Sequence, residues 1–292
     1  MSTPTARTTH RPDFPGRPDF PGRPDFPGRP DSAGARHPGG GLPGAIASEW
    51  TKLWSVRSVW WCLLSSVVLM AATAGQLAIY VQNSNTNPEP VDDRGVVAIG
   101  RMAIDAVELT QFAVLALALL VITSEYGTGM IRNTLQWTPS RWRLLLAKTT
   151  VVAGVTFAVG TLLGVLGAVV AAPVLGEWGR FEGPEAVGDA LGVGAYLALV
   201  SVFTLGLGAA LRGPVGTLVA VFLTLMVVPT MLRLPDLAVF NTIADVLPGS
   251  AGLHFLRGDT DPYPPAVGLL LLTGWAGATL IAGHTVLRRR DA

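Results

Sequence analysis

The sequence predicts an all-α integral membrane protein: six transmembrane helices, an interfacial helix ahead of the first, and a short cytoplasmic helix between the second and third. Three observations carry that fold class. The 292 residues are 50% hydrophobic and only 14% charged, where a soluble chain carries about a quarter charged residues; mean hydropathy is +0.46. The apolar residues fall in six blocks, each long enough for the roughly 20 helical residues that a bilayer core requires. Basic residues gather on one side of those blocks.

Ahead of the blocks, residues 11–28 read RPDFPG three times and are followed by a degenerate RPDSAG. Each repeat offers one phenylalanine to bury, and its prolines remove backbone donors, so burial cannot offset the ordering entropy. Residues 1–43 are expected to be a disordered, inert tail, and 44–292 the membrane domain. No apolar run follows the early basic residues, so the tail does not read as a signal peptide.

In AIASEWTKLWSVRSVWW, Ile46, Trp50, Leu53 and Trp54 fall on one helical face with Glu49 and Lys52 off it. This is the pattern of a helix lying in the inner headgroup layer. The spans are then expected at Val59 to Tyr80, Ile104 to Thr123, Leu144 to Leu175, Ala190 to Leu211, Val215 to Leu232 and Ala266 to Leu287. Transmembrane strands would alternate in polarity at about half this length. Pro229 should kink the fifth span, and only Arg212, Gly213 and Pro214 separate the fourth from the fifth, which requires a tight hairpin.

Ten basic residues flank the span ends on one side: Lys52, Arg57, Arg132, Arg141, Arg143, Lys148, Arg212, Arg288, Arg289 and Arg290. Five flank the other: Arg94, Arg101, Arg180, Arg233 and Arg257. The asymmetry places both termini in the cytoplasm. It also places there the stretch SEYGTGMIRNTLQWTPSRWRLLLAK, residues 124–148. Gly127 and Gly129 allow a sharp exit from the second span. Met130, Ile131 and Leu135 share one side of a short helix while Arg132 and Asn133 point elsewhere, and Thr138-Pro139 restarts a helix. Arg141, Arg143 and Lys148 are expected to snorkel to the surface.

Several chemistries are excluded. The sequence has no G-x-x-x-x-G-K-[ST] phosphate loop; its only lysines, Lys52 and Lys148, lie outside glycine-rich turns. Its four histidines (His10, His37, His254 and His284) are scattered, its one cysteine, Cys62, lies in an apolar run, and no nucleophile elbow occurs. The chain is therefore expected to be no enzyme, to need no cofactor or metal, and to bind no nucleic acid. Asp105 and Glu108, three apart at the start of the second span, are candidates for an outward path for a polar or cationic substrate. Their structural alternative is stabilisation by the helix dipole. Gly160, Gly164 and Gly167 mark close helix packing, within the chain or across a dimer.

The order SEWTKLWSVRS, span, acidic outer loop, span, SEYGTGMIRNTL, WTPSRWRLLLAK, span resembles the permease subunits of ABC-2 type transporters, particularly actinobacterial ones. VLPGSAG, expected in the outer loop between spans five and six, resembles a Leu-Pro segment common in those permeases. The resemblance covers residues 45–292. It implies an interfacial connecting helix at about Ala45 to Ser58. It also implies a coupling helix within Gly127 to Trp137, with Glu125 at its head, docking on a separate ABC ATPase subunit. A cell-membrane exporter with a second permease copy or paralogue follows from the same resemblance. The rival readings are a membrane anchor or sensor recruiting a cytoplasmic protein, and a membrane-embedded enzyme.

Overall fold

A computed structural model describes residues 41–87, 95–127 and 141–289, without the side chains of 124–127 and 141. The RPDFPG repeats, the Thr138-Pro139 helix restart, and Gly129, Met130, Ile131, Arg132 and Leu135 lie outside the described residues. A lead helix, Leu42–Ser55, opens the described chain with Pro43 in its first turn, so Leu42 and Pro43 belong to the helix and not to the tail. It stops at Ser55, where Val56 is extended (φ −95°, ψ 119°). Arg57 and Ser58, expected in the interfacial helix, already belong to the first span.

Six helices among the described residues are long and apolar enough to cross a membrane. They are the first span Arg57–Thr86, the second Ile99–Gly127, the third Arg141–Leu175, the fourth Gly183–Leu211, the fifth Pro214–Arg233 and the sixth Pro265–Arg289. Each expected block is present and lengthened at one or both ends, for the most part by polar or small residues. The third, at 35 residues, is about 52 Å long at 1.5 Å per residue and exceeds the bilayer core.

Spans two and four are the most buried and form the middle of the bundle. Val193, Tyr196, Leu197, Val200 and Phe203 of the fourth meet Ala103, Val107 and Val114 of the second and Leu272 and Ala276 of the sixth. The glycine stripe of the third span is spent on this packing. A Cβ at Gly160 would come 2.9 Å from the Gly194 Cα, one at Gly164 2.8 Å from the Ala190 Cα, and one at Gly167 2.7 Å from the Ala103 Cβ. These approaches are within the chain, so small residues let the helix backbones meet. Cys62 packs beside Leu53, Val59, Leu117, Val151 and Val155, as expected of a core filler.

The expected hairpin between spans four and five is made by Arg212 in the left-handed region (φ 61°), Gly213 extended and Pro214 at the first helical position. A kink is expected at Pro229; what the structure has there is a π turn, Leu223–Val227, just before it. Pro229 has no N–H to offer the Leu225 carbonyl four residues earlier, and a wider turn accommodates the loss.

The chain between spans five and six is not the outer loop expected. It forms two short helices, Ala238–Asp245 and Pro248–Arg257, and Pro248, Gly249, Ser250, Ala251 and Gly252 of the second are buried. Gly249 lies against the Leu225 backbone, Gly252 against the Tyr196 ring, and Gly268 against the Ala251 carbonyl. Leu225 and Tyr196 stand near the middle of their spans, so VLPGSAG turns back into the bundle. Pro248 starts the helix, which pairs the backbone internally, and small side chains permit the close contact.

Candidate functional site

The two ends of the bundle carry different polar constellations. At the end holding the lead helix, Glu49 is only 4% exposed. Its Oε2 accepts a hydrogen bond from Lys148 Nζ at 2.5 Å and its Oε1 one from Lys52 Nζ at 2.8 Å. Lys148, on the third span, is 1% exposed, whereas Lys52 is partly open. Leu53, one turn on from Glu49, packs with Val59, Leu117, Val151 and Val155.

Two expectations are corrected here. Glu49 faces inward in the row Ile46, Glu49, Leu53, while Trp50 is exposed. Trp54 packs against the edge of this cluster, its ring centroid 5.6 Å from that of exposed Trp50 and 5.3 Å from that of exposed Trp60. Lys148 does not snorkel, because a carboxylate waits inside the bundle within its reach. Removing one partner of such a buried pair costs about 3–5 kcal/mol, because the other charge is left uncompensated.

Glu125 and Gly127 stand in the last turn of the second span. The second span ends at Gly127, and the chain beyond it lies outside the described residues.

At the opposite end, Arg101, Asp105 and Glu108 follow one another on one face of the second span. Arg101 Nε lies 3.4 Å from Asp105, and Arg257 reaches both carboxylates, at 3.7 Å from Asp105 and 2.6 Å from Glu108. Arg101 also donates to the Arg257 carbonyl at 3.4 Å. One turn deeper, the buried Tyr196 hydroxyl donates to Gln111 Oε1 at 2.7 Å, and Gln111 Nε2 donates to the Glu108 carbonyl at 2.8 Å. The helix begins at Ile99, which puts Asp105 beyond the first turn where the dipole acts. The carboxylates are held by the two arginines and not by the helix N-terminus.

A cleft of about 600 Å³ opens beside them, lined by Arg101, Asp105, Glu185, Asp189 and Arg257. A second hollow of about 500 Å³ lies between Thr73, Gln76, Tyr80, Asp105, Glu108 and Met226. Asp105 borders both. His254 is bonded to the Tyr263 carbonyl at 2.5 Å, and no trio of potential metal ligands occurs among the described residues. Tyr263 donates to the Asp245 carbonyl; burial, and then the Asp245 charge, push its phenol above the ordinary range.

Sequence reasoning missed Arg257, Gln111, Tyr196 and the burial of Lys148. One signal was available: among 21 Lys and Arg residues only two are lysines, and both meet Glu49. A compact ammonium suits a single carboxylate oxygen, where arginine presents a planar fork.

A bundle of six helices long and apolar enough to cross a membrane, with Glu49, Asp105 and Glu108 each paired to a cation, defines the class of a multi-pass membrane protein. The family model described as ABC-2 family transporter protein matches residues 45–244, and the chain belongs to that family. The match runs from the lead helix to the helix Ala238–Asp245. The chain is thus the membrane component of an ABC-type transporter. No curated protein matches it by sequence.

Proposed function

We propose that this chain is the permease subunit of an ABC exporter in the cell membrane, with both termini cytoplasmic. It is driven by a separate ATPase subunit and works beside a second permease copy or paralogue. The observation that carries this reading is the family match over residues 45–244; the missing phosphate loop then puts hydrolysis on another chain. In this reading the lead-helix end is cytoplasmic. Glu125, Gly127, Gly129, Met130, Ile131, Arg132 and Leu135 form the docking element for the ATPase, and the hollows around Asp105 and Glu108 belong to the outward path. Copurification from native membranes should yield a phosphate-loop protein whose hydrolysis responds to the permease. A partner whose hydrolysis rate is indifferent to it would favour a recruiting anchor instead.

The orientation has its own test. Single cysteines replacing Asp92, Glu182 and Asp259, with Cys62 removed, should react with an impermeant thiol reagent added outside. Reaction of Gln136→Cys from outside, with none of those three, would invert the topology.

A further inference from the structure

We propose that the cleft beside Asp105 binds an organic cation, with Asp189 as the residue that receives its ammonium group. The inference deepens the exporter reading above and rests on it: the cleft is then the outward end of the path, and the cargo is an amine with an apolar body.

Asp189 stands about two helical turns past Gly183, where the fourth span begins. It lines the cleft of about 600 Å³ together with Arg101, Asp105, Glu185 and Arg257, a volume typical of small-molecule sites. Across from it, the first turn of the second span presents bare backbone at Gly100. A Cβ there would overlap a carboxylate oxygen of Asp189. The missing side chain is what lets the carboxylate lie at this wall.

The carboxylates around it are already answered. Arg101 and Arg257 hold Asp105, Arg257 also holds Glu108, and Arg180 holds Glu185 at 3.3 Å. Arg101 is tied further by its bond to the Arg257 carbonyl. Among the described residues, none brings a cation within ion-pair distance of Asp189 or donates a hydrogen bond to it. An ionisable group in a span is costly and marks a functional position whose partner should be named. Here the partner is a cation that the chain does not supply.

The lining selects the kind of cation. No trio of carboxylates among the described residues stands close enough to share a metal ion. Val97, Met102, Ile104 and Leu256 give the cleft an apolar wall, and Val97 is fixed there by pairing with Gly179. An ammonium group carried on an apolar body matches both parts of the lining.

The test measures binding of dansylcadaverine, a fluorescent primary amine, to the full permease in lipid nanodiscs, with empty nanodiscs subtracted. Its N-acetyl derivative, which carries no positive charge, is the comparison. The amine should bind saturably, and the acetylated form roughly tenfold more weakly. Asp189→Asn removes the charge at constant size and should raise the Kd of the amine about tenfold or more, as loss of a charged hydrogen bond does. The acetylated form should not distinguish that variant from wild type. Gly100→Ala pushes the carboxylate aside and should weaken the amine in the same sense. Glu182→Gln, which alters an exposed carboxylate outside the cleft, should leave the affinity unchanged. Equal binding of the two forms, or wild-type affinity for the amine in Asp189→Asn, overturns the cation site. The exporter reading fails separately: a copurified ATPase indifferent to the permease removes it, while the difference in binding at Asp189 still stands.

Discussion

Leu135→Asp and Ile131→Asp should each abolish coupled transport while the six spans still insert. The spacing of these residues puts them one turn apart on the same side of the segment between spans two and three. A helix this short is marginal alone in water and needs a partner surface to hold it. If that surface is the ATPase, an aspartate must be desolvated against apolar neighbours with no cation prepared for it. The penalty for spoiling a central interface contact is about 2–4 kcal/mol, or roughly 30-fold or more in affinity at 1.4 kcal/mol per decade. Glu125→Ala should be milder, since Glu125 stands in the final turn of the second span, at the edge of the segment. Each variant is reconstituted with its ATPase and assayed for association, stimulated hydrolysis and transport. Unchanged values for all three in a correctly inserted Leu135→Asp protein would show that the segment is only a connector.

The six spans were legible in the sequence because hydrocarbon imposes a length and a polarity that local counting can see. The tight turn at Arg212-Gly213-Pro214 was legible for the same reason: three residues between two spans leave one geometry. Glu49 was misplaced because a charged residue on an amphipathic helix is ordinarily assigned to water. What reverses the assignment is Lys148, 99 residues away, and no local pattern contains that pairing. Arg257 and Glu108, 149 residues apart, hid their contact in the same way. VLPGSAG read as a loop because its glycines, serine and alanine carry little hydropathy and its helix is too short to span. Its burial depends on backbone approach, which side-chain counting does not register.

That approach makes Gly249 the most sensitive position of the returning helix. A methyl group there would overlap the Leu225 carbonyl oxygen, in the π turn that Pro229 leaves without a regular helix donor. The obstacle is backbone in the middle of a span and cannot rotate away. Inserting a methylene into a packed core usually costs about 1–3 kcal/mol, and Gly249→Ala should lie at or beyond the upper end. Gly252→Ala meets the Tyr196 ring, itself fully buried and fixed through its hydroxyl to Gln111, so it should also destabilise. Gly274→Ala adds its methyl where nothing lies within 4 Å and should be near neutral. Thermal unfolding of the three variants in detergent gives the ranking, and a Gly249→Ala protein that melts with wild type would refute this account of the helix. The consequence reaches the cluster of Arg101, Asp105 and Glu108, because Arg257 ends the same helix. A shift that relieves the clash at Gly249 moves the guanidinium relative to Glu108 and Asp105. Glu108 would then lose its cation and Asp105 one of its two at the border of the hollows, so Gly249→Ala should impair transport even at temperatures where the bundle remains folded.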